Sequence, residues 1–441
     1  MKGEVSLPGD KSIAHRAIIL SALAQNKTTL KNIPLNTDCL ATINSFRKLG
    51  IKIKLNRASA QAVVFGRGLT GLKTPKSSIF IKESGTTFRL LLGVLAGQGF
   101  KVKLCAGASL SRRPMLRAIR PLRLMAAAIK ARKTGKEEYP PVIIQGGDLT
   151  GITYKLPVAS AQVKSAILLA GLFAKGKTKI IEPFRTRDHT ERMLELFKAG
   201  VKAQGNTITI NSAKRLTSPG TFYIPGDISS AAFFMVAASI IPGSKIRIKN
   251  VGLNPGRIGI LKALKRMGAA IKIQGSNLKT QGNEPAGDIL VKSSCLRGIK
   301  IGSKEVPSLI DELPVLMVAA CYAKGESVFS GVGELRVKET DRIKSMLVNL
   351  IQMGANIRIN KSGRPASRPP AGRAGTGRQE NIIIKGVETL YGARVSSFGD
   401  HRTAMSMVIA GLAACGKTRI DDLSCINKSF PEFLKTLNSL K

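Results

Sequence analysis

The sequence predicts an α/β (α+β) protein of two similar domains, each built from three repeated β/α units around buried helices. Three observations lead to this prediction. One pattern of turn, apolar helix and strand recurs along the chain, and the helices in it are apolar on every side. The length of 441 residues, with 43% hydrophobic residues, is sufficient for two or three hydrophobic cores.

The recurring pattern has the same order of parts each time. A short polar turn precedes an apolar stretch rich in small residues, and a Gly-Lys-like turn then leads into an alternating strand. Apolar positions three and four apart predict helices, and Ile-Lys-Ile alternation predicts half-buried strands. The repeats lie roughly 65 to 90 residues apart and begin at Pro8, Glu83, Val158, Pro225, Pro307 and Phe398. A solenoid is the alternative, but its repeats usually span only about 20 to 50 residues.

A second, more charged helix follows the apolar helix of each repeat. A helix that is apolar all round must be enclosed, and three such helices can be enclosed by three sheets. Six repeats therefore predict two domains of three. Residues 1–9 and 226–441 are expected to form one domain, and residues 10–225 the other.

One segment departs from the repeat. Lys361–Arg378 is rich in basic residues, glycine and proline, and lies between two predicted strands. This composition predicts a solvated loop. A nucleic-acid contact of the Arg-Gly-Gly type is the alternative interpretation.

Composition narrows the class of protein. Lys and Arg total 70 against 27 Asp and Glu, a formal net charge of +43 that attracts anions such as small metabolites or nucleic acid. Six scattered cysteines without a C-x-x-C motif predict buried free thiols in a reducing compartment. The apolar runs are shorter than the roughly 18 residues of a membrane span, and the N-terminus has no targeting pattern. A cytoplasmic protein without a membrane partner is expected.

The starts of the apolar helices carry the first chemical signal. Ser, Thr or Asp in their first turns is explained by capping alone. Capping does not explain cations in the same first turns, because a cation opposes the positive end of the helix dipole. Such polar or cationic groups are Lys11 with Arg16, Gln162 with Lys164, and His401 with Arg402. They suggest bound phosphate or carboxylate groups.

Acidic residues are scarce in this chain, and two groups of them lie in positions that suggest chemistry. Asp311 and Glu312 precede an apolar helix, and Glu339 lies between Lys338 and Arg342 in VKETDR. A carboxylate flanked in this way is either a salt-bridged structural group or a proton-transfer group beside an anionic substrate. The residues alone leave both interpretations open.

Several common sites have no support in the sequence. No P-loop motif is present, and no G-x-G-x-x-G opens a helix after a strand. The three histidines lie far apart without metal-ligand spacing. No metal site is therefore expected.

Nine motifs occur in the order and spacing of one enzyme family: PGDKSIAHRAIILSALA, SGTTFRLL, RRPMLR, SAQVKSA, RDHTERML, PGDISSAAFF, IDELPVL, VKETDR and DHRTAM. On these motifs, which span essentially the whole chain, the sequence resembles the 5-enolpyruvylshikimate-3-phosphate synthases. The resemblance implies the enolpyruvyl transferase fold, an inside-out α/β barrel, with the active site in the cleft between two domains. It also implies transfer of the enolpyruvyl group of phosphoenolpyruvate to the 5-hydroxyl of shikimate-3-phosphate. Phosphate would be released by addition and elimination through a tetrahedral intermediate, without a cofactor.

The resemblance also assigns roles to residues. The catalytic residues would be Lys11, Asp311, Lys338, Glu339 and His401. Shikimate-3-phosphate would be bound by Lys11, Ser12, Arg16, Ser160, Ala161, Gln162, Arg187, Asp311 and Lys338. Phosphoenolpyruvate would be bound by Lys11, Gly85, Arg113, Gln162, Arg342, Arg402 and Lys428. Asp311 would act as base, Lys11 would assist proton transfer at the 5-hydroxyl, and Lys338 and Glu339 would handle the proton at the methylene carbon.

One departure from the family and two alternatives remain. Lys82-Glu83 stand where the family commonly has Gly-Asn, which puts a carboxylate where an amide usually faces phosphoenolpyruvate. A UDP-N-acetylglucosamine enolpyruvyl transferase shares the fold, but normally has Lys-Asn where this chain has Lys11-Ser12, and a loop cysteine, whereas Cys105 lies outside the RRPM motif. A basic nucleic-acid-binding protein fits the charge, but only 5% of the residues are aromatic. A monomer without a nucleic-acid partner is expected.

Overall fold

The computed structural model describes residues 1–281, 283–362 and 379–440. Twelve α-helices lie in these ranges: α1 Lys11–Leu23, α2 Thr37–Lys48, α3 Gly85–Ala96, α4 Leu116–Leu124, α5 Ala161–Gly171, α6 His189–Leu196, α7 Ile228–Ile240, α8 Gly259–Arg266, α9 Leu313–Cys321, α10 Arg342–Gln352, α11 His401–Ala413 and α12 Phe433–Asn438. Short 3-10 helices cover Leu110–Arg112, Val306–Ser308, Gly333–Val337 and Ser424–Lys428.

The strands of the same ranges are β1 Lys2–Ser6, β2 Gln25–Lys31, β3 Lys52–Asn56, β4 Gln61–Arg67, β5 Ile79–Phe80, β6 Lys101–Cys105, β7 Ala128–Thr134, β8 Glu137–Gln145, β9 Thr153–Lys155, β10 Thr178–Ile181, β11 Val201–Gln204, β12 Thr207–Ile210, β13 Thr221–Tyr223, β14 Lys245–Gly252, β15 Ala270–Gln281, β16 Glu284–Lys292, β17 Lys300–Ile301, β18 Glu326–Ser330, β19 Asn356–Ser362, β20 Gln379–Lys385, β21 Arg394–Val395 and β22 Arg419–Ile420. Of the loop predicted at Lys361–Arg378, residues 363–378 lie outside the described part of the chain. Its first two residues end β19 rather than begin the loop.

The helices alternate between two kinds, as the repeat predicts. The odd-numbered helices are the apolar ones, and in α7 every residue from Ile228 to Ser239 is buried. The even-numbered helices are amphipathic: α8 buries Ile260 and Leu264 but exposes Lys262 and Lys265. A charged face needs water, so the amphipathic helices cover the outside of each core while the apolar ones fill it.

Side-chain caps determine where most apolar helices begin. Asp10, Ser84, Ser160, Asp227 and Asp400 each accept a first-turn backbone N–H at the start of α1, α3, α5, α7 and α11. These caps satisfy N–H groups that have no partner inside the helix. Helix α9 is different, because Glu312 makes no such cap and a proline lies in its first turn.

The sheets follow the repeats, with an exchange of strands between two of them. The described residues form five four-stranded sheets and one two-stranded sheet. In four of them, parallel strands flank one apolar helix: β5 and β6 flank α3, β9 and β10 flank α5, β17 and β18 flank α9, and β21 and β22 flank α11. The first and fourth repeats exchange strands, since β1 precedes α1 but pairs with β14, and β13 precedes α7 but pairs with β2.

The chain divides into two compact units. The N-terminal unit comprises Pro8–Pro225 and Thr280–Glu284, and the C-terminal unit comprises Met1–Leu7, Gly226–Lys279 and Pro285–Lys441. Each has its own hydrophobic core, centred on α1, α3 and α5 in one and on α7, α9 and α11 in the other. The exchange of β1 and β13 explains why the chain changes unit next to each of these strands.

Two predictions from composition can be compared with the structure. All six cysteines are free, but the prediction that they are buried is wrong for Cys295 and Cys415, which are exposed. Both follow regular elements, β16 and α11, where the chain turns at the surface. Among the described helices, none combines the length and the apolar character that crossing a membrane would need.

Candidate active site

The start of α1 is joined to α2 and α3 by polar contacts. Lys11 Nζ lies 3.0 Å from Asp38 Oδ2 in the first turn of α2, and both side chains are largely buried. The backbone carbonyl of Asp38 accepts the Thr87 hydroxyl of α3 at 3.4 Å. One turn later in α1, the Ser12 carbonyl accepts a hydrogen bond from Arg16 Nη1 at 2.8 Å. The predicted site residues of α1 therefore lie beside the starts of α2 and α3.

Arg16 is buried and has mainly neutral hydrogen-bond partners. Its Nε donates to Thr190 Oγ1 at 2.6 Å and its Nη2 donates to Ser165 Oγ at 2.7 Å, which joins α1 to α6 and α5. Burial lowers the pKa of Arg16 to about 10; Glu191 opposes this shift and the nearby cation Arg187 adds to it. Two neighbouring cations, one of them desolvated, favour the binding of an anion.

A second group of cations lies at the starts of α3 and α5. Arg89 Nη1 donates to Gln162 Oε1 at 2.8 Å, and Arg89 Nη2 donates to the Pro114 carbonyl at 3.1 Å. Gln162 Nε2 in turn donates to Thr86 Oγ1 at 2.9 Å. A methyl group on Gly85 would lie 2.9 Å from Nη1 of Arg89.

Arg113 and the α5 cap complete this group. The same methyl group on Gly85 would lie 2.9 Å from Arg113 Nη1, so two guanidinium groups lie over this glycine. Ser160 caps α5 by accepting the Val163 N–H at 3.4 Å, and Ala161 is the first residue of the helix. The arrangement offers cations and helix N–H groups to an anion at one place.

The surroundings of Lys164 contradict the prediction that it binds a phosphate or carboxylate ligand. Its side chain is fully buried, with Nζ 3.0 Å from Glu182 Oε2 and 2.7 Å from Glu191 Oε1. Burial raises the pKa of Glu191 even though Lys164 acts in the opposite direction. The protein itself therefore supplies the anions for Lys164, and the suggestion of a bound anion at this residue is wrong.

Glu83, the departure from the family pattern, contacts backbone. Its Oε2 accepts the Leu110 N–H at 2.7 Å and its Oε1 accepts the Ser109 N–H at 3.4 Å. These N–H groups lie at the start of the 3-10 helix Leu110–Arg112, directly before Arg113. The sequence comparison placed the Glu83 carboxylate beside phosphoenolpyruvate. In the structure this carboxylate binds the loop that carries Arg113, a predicted phosphoenolpyruvate ligand.

In the C-terminal unit, Arg342 connects three carboxylates. Its Nε donates to Asp400 Oδ2 at 2.8 Å, its Nη2 to Glu339 Oε2 at 2.5 Å, and its Nη1 to Asp311 Oδ1 at 3.5 Å. Burial opposes the charge of Arg342, but the attraction of Asp400, Glu339 and Asp311 outweighs it and raises the pKa of Arg342 above its ordinary value. Both predicted catalytic carboxylates are therefore held by one guanidinium group.

The start of α11 carries the remaining predicted residues of this unit. Asp400 Oδ1 accepts the Arg402 N–H at 2.7 Å, and both His401 and Arg402 are buried. Lys428 Nζ donates to the Gly399 carbonyl at 2.9 Å, immediately before this helix. Lys338 follows the 3-10 helix Gly333–Val337 and precedes Glu339.

Arg257 is a buried residue that sequence reasoning missed. Its Nη2 donates to Ser229 Oγ at 2.6 Å and lies 3.3 Å from Asp227 Oδ1 and 3.8 Å from Glu312 Oε1. The Ser229 hydroxyl also donates to Glu312. These contacts tie the start of α7 to the start of α9, next to Asp311.

Each unit thus gathers its predicted residues around the starts of its apolar helices and nearby loops. The N-terminal unit holds Lys11, Ser12, Arg16, Gly85, Arg113, Ser160, Ala161, Gln162 and Arg187. The C-terminal unit holds Asp311, Lys338, Glu339, Arg342, His401, Arg402 and Lys428. In the part of the chain that the structure describes, no three His, Cys, Asp or Glu residues are grouped as metal ligands.

Comparison with known proteins gives a consistent result. The model of the family described as EPSP synthase (3-phosphoshikimate 1-carboxyvinyltransferase) matches residues 1–437. A 3-phosphoshikimate 1-carboxyvinyltransferase from Syntrophomonas wolfei is 47% identical over 441 residues, covering 100% of this chain and 97% of that protein. One from Geobacillus kaustophilus is 44% identical over 443 residues, covering 100% of this chain and 98% of that protein.

Solved structures confirm the predicted fold class. An EPSP synthase from Acinetobacter baumannii gives a TM-score of 0.85 at 42% identity, covering 100% of this chain and 95% of the other. The enolpyruvyl transferase NikO from Streptomyces tendae gives a TM-score of 0.76 at 15% identity, covering 99% of this chain and 94% of the other. At that identity, the similarity to NikO concerns the fold alone.

Proposed function

The chain belongs to the EPSP synthase (3-phosphoshikimate 1-carboxyvinyltransferase) family, and on this premise we propose which of its residues bind the two substrates and which move protons. The enzyme transfers the enolpyruvyl group of phosphoenolpyruvate to the 5-hydroxyl of shikimate-3-phosphate, in aromatic biosynthesis. The observation that carries this function is the family match over residues 1–437.

Shikimate-3-phosphate is assigned to the polar starts of α1 and α5, with Arg187 and two residues of the C-terminal unit. Its proposed ligands are Lys11, Ser12, Arg16, Ser160, Ala161, Gln162, Arg187, Asp311 and Lys338. The buried guanidinium of Arg16, with Arg187 nearby, supports a phosphate here because a dianion would compensate both cations. The capped start of α5 adds N–H groups that favour negative charge.

Phosphoenolpyruvate is assigned to cations of both units. Its proposed ligands are Lys11, Gly85, Arg113, Gln162, Arg342, Arg402 and Lys428. The guanidinium of Arg113 over Gly85 supports this assignment, because the absence of a side chain at Gly85 leaves room for an anion beside the cation.

The proposed chemistry is an addition followed by an elimination. A proton is added to C3 of phosphoenolpyruvate, and the 5-hydroxyl oxygen bonds to C2 while its own proton leaves. The resulting tetrahedral intermediate loses phosphate as one proton leaves the new methyl group, which restores the carbon–carbon double bond. The hydroxyl proton lost balances the proton added to C3, and the proton from the methyl group leaves with the phosphate, so no net proton is gained or lost over the two steps.

Proton transfer is assigned to Asp311 and Lys11 at the hydroxyl, and to Glu339 and Lys338 at the methylene carbon, with His401 as a supporting group. A general acid or base must reach the atom it serves, and pairing with a cation orients a carboxylate. The contacts of Arg342 with Asp311 and Glu339 support this role, because they hold both carboxylates beside one proposed phosphoenolpyruvate ligand.

The decisive experiment is phosphate release by the purified protein. Phosphate should appear only when phosphoenolpyruvate and shikimate-3-phosphate are both present. Replacing the acceptor by UDP-N-acetylglucosamine should give no release, and release with that acceptor alone would contradict the proposal. For the site, Arg16→Gln should raise KM for shikimate-3-phosphate, whereas Arg57→Gln, at an exposed position of the same unit, should not.

We retain two proposals about the working state of the enzyme. The six free cysteines support a reducing compartment, so the cytoplasm is the proposed location. The monomeric state stays a prediction, which light scattering at working concentration would check.

A further inference from the structure

Glu83, in the segment before α3, binds the loop of residues 106–113 through hydrogen bonds. This loop carries Arg113. The two oxygens of the Glu83 carboxylate accept two successive backbone N–H groups, Leu110 at 2.7 Å and Ser109 at 3.4 Å. Hydrogen bonds to an ionised acceptor are stronger than neutral ones. An amide side chain has one acceptor oxygen and could accept at only one atom, because its nitrogen is a donor.

The backbone of the 106–113 loop closes around this carboxylate. A methyl group on Gly107 would lie 2.2 Å from Glu83 Oε1, which is much closer than a van der Waals contact. The Gly107 N–H donates to the Lys82 carbonyl at 2.7 Å, and the Ser111 N–H donates to the Gly107 carbonyl at 2.9 Å. Glycine at this position therefore allows the loop to approach Glu83.

The other side of the loop is held by β7. Arg132 Nη2 donates to the Ser111 carbonyl at 2.8 Å, and Arg132 Nε donates to the Pro140 carbonyl at 3.2 Å. The loop is thus held from both sides, by Arg132 on one and by Glu83 on the other.

The hydrogen bonds of Glu83 are close to Arg113 in the loop. The Arg113 N–H donates to the Leu110 carbonyl at 3.0 Å, so Arg113 directly follows the short helix whose start Glu83 binds. Its guanidinium lies over Gly85, two residues beyond Glu83 in the chain. The segment 83–85 therefore contacts the 106–113 loop at two points. The Glu83 carboxylate binds the loop backbone, and Gly85 contacts the Arg113 guanidinium.

We propose that Glu83 is a positioning residue for phosphoenolpyruvate binding, which holds the 106–113 loop so that the guanidinium of Arg113 stays over Gly85. The inference rests on the proposed role of Arg113 as a phosphoenolpyruvate ligand. It assigns the unusual carboxylate a function through backbone contacts, without direct contact with the substrate.

The test is a double-mutant cycle between Glu83 and Arg113 in the full-length enzyme. Glu83→Ala should raise KM for phosphoenolpyruvate about tenfold, which corresponds to about 1.4 kcal/mol, and should leave KM for shikimate-3-phosphate within about twofold. In an Arg113→Ala background, the same change should alter KM for phosphoenolpyruvate by less than about twofold, because the residue it positions is gone. Asp148→Ala, which removes an equal charge at an exposed position, should change neither KM.

A second cycle tests the contact itself. Gly107→Ala should raise KM for phosphoenolpyruvate, because the added methyl group collides with the Glu83 carboxylate. In a Glu83→Ala background, Gly107→Ala should add little, since that collision is removed. Glu83→Gln, which keeps one acceptor oxygen, should fall between the wild type and Glu83→Ala, and it serves as the second variant if Glu83→Ala does not fold.

The outcomes separate this inference from the proposed function. A wild-type enzyme without phosphate release from phosphoenolpyruvate and shikimate-3-phosphate would overturn the proposed function. With an active wild type, additive effects of Glu83→Ala and Arg113→Ala, or an equal rise in both KM values, would overturn only the role of Glu83.

Discussion

At the scale of single residues, Arg342 is the group on which three carboxylates of the C-terminal unit converge. Its guanidinium is buried and contacts Glu339, Asp311 and Asp400. A buried cation without such partners would be costly, so the three carboxylates and the arginine depend on one another. Two of these acids are the ones proposed to move protons.

Neutralising either proposed acid should therefore reduce turnover more than it reduces binding. Asp311→Asn or Glu339→Gln keeps the shape of the side chain and should lower kcat by about 100-fold or more, as for the loss of a general acid or base. Steady-state phosphate release measures this effect. The control is Asp341→Asn: Asp341 caps α10 and pairs with Arg336, and asparagine is also a good cap. Near-normal kcat in both acid variants would remove them from the mechanism.

His15 should make the stability of the protein depend on pH. It is fully buried and its Nδ1 lies 2.6 Å from Thr42 Oγ1. Burial, and then the nearby Lys11 and Arg16, lower the pKa of His15 well below its ordinary value. In the unfolded chain, His15 gains a proton as the pH falls through about 6.5. The unfolded state then binds more protons, so this contribution to stability is present above pH 6.5 and is lost as the pH falls below it.

His15→Asn should weaken that dependence, because asparagine does not titrate and can still contact Thr42. Between about pH 7.5 and about pH 5.5, the free energy of unfolding of the wild type should fall by about 1.4 kcal/mol more than that of the variant. Urea unfolding at the two pH values measures the difference. Equal falls in both proteins would show that His15 does not titrate differently on folding.

At the scale of elements, the close crossing of α3 and α5 brings two parts of the proposed site together. A methyl group on Gly93 would lie 2.2 Å from the Ala166 carbonyl oxygen, so the helices touch through backbone at this point. Helix α3 begins at Gly85 and α5 at Ala161, and the Arg89–Gln162 contact joins them near these starts. The spacing of the helices therefore determines the spacing of the residues proposed for the site.

Gly93→Ala should separate these helices. Overpacking a core costs about 1 to 3 kcal/mol, and the better helix propensity of alanine returns at most about 1 kcal/mol. The free energy of unfolding should fall by about 1 to 2 kcal/mol, with a rise in KM for phosphoenolpyruvate. Gly99→Ala is the control, because nothing lies within 4 Å of a methyl group there. If the two variants are equally stable, the backbone contact does not limit the packing.

The sequence predicted the helices better than the sheets. A helix such as α7, apolar on every side, has a clear signal because its environment is the same all round. Two-residue strands such as β5 and β17 have no periodicity to detect. The domain prediction already grouped residues 1–9 with 226–441, but the strands with which β1 and β13 pair were beyond prediction, since pairing across the whole chain leaves no local pattern.

For the site, the sequence proposed candidate residues more readily than the atoms they contact. Arg16 lies in α1, in the helix where the sequence placed it, but its partner Thr190 lies 174 positions away. Lys164 was misinterpreted for the same reason, because Glu182 and Glu191 carry no local sign that they surround it. Arg89 and Thr190 lie inside the quoted motifs SGTTFRLL and RDHTERML, and this was the one signal that could have drawn attention to them.

At the scale of the whole molecule, the net charge of +43 has opposite consequences for folding and for catalysis. Repulsion among the excess cations destabilises the compact chain, whereas their field attracts two anionic substrates. The exposed ion pairs, such as Arg358 with Glu326, work against the repulsion, but each contributes only about 0 to 1 kcal/mol. The repulsion should therefore dominate the response of stability to salt.

Salt should consequently move stability and catalysis in opposite directions. Raising the ionic strength from about 0.01 M to about 0.1 M shortens the screening length from about 30 Å to about 10 Å. The Tm should rise because repulsion is screened, and kcat/KM for both substrates should fall because their attraction is screened as well. Thermal unfolding and phosphate release in potassium chloride measure the two effects. Sucrose of equal osmolality is the control, since an uncharged solute does not screen charge. A Tm that falls with salt would mean that the ion pairs, and not the excess of 43 positive charges, dominate the electrostatics of the folded chain.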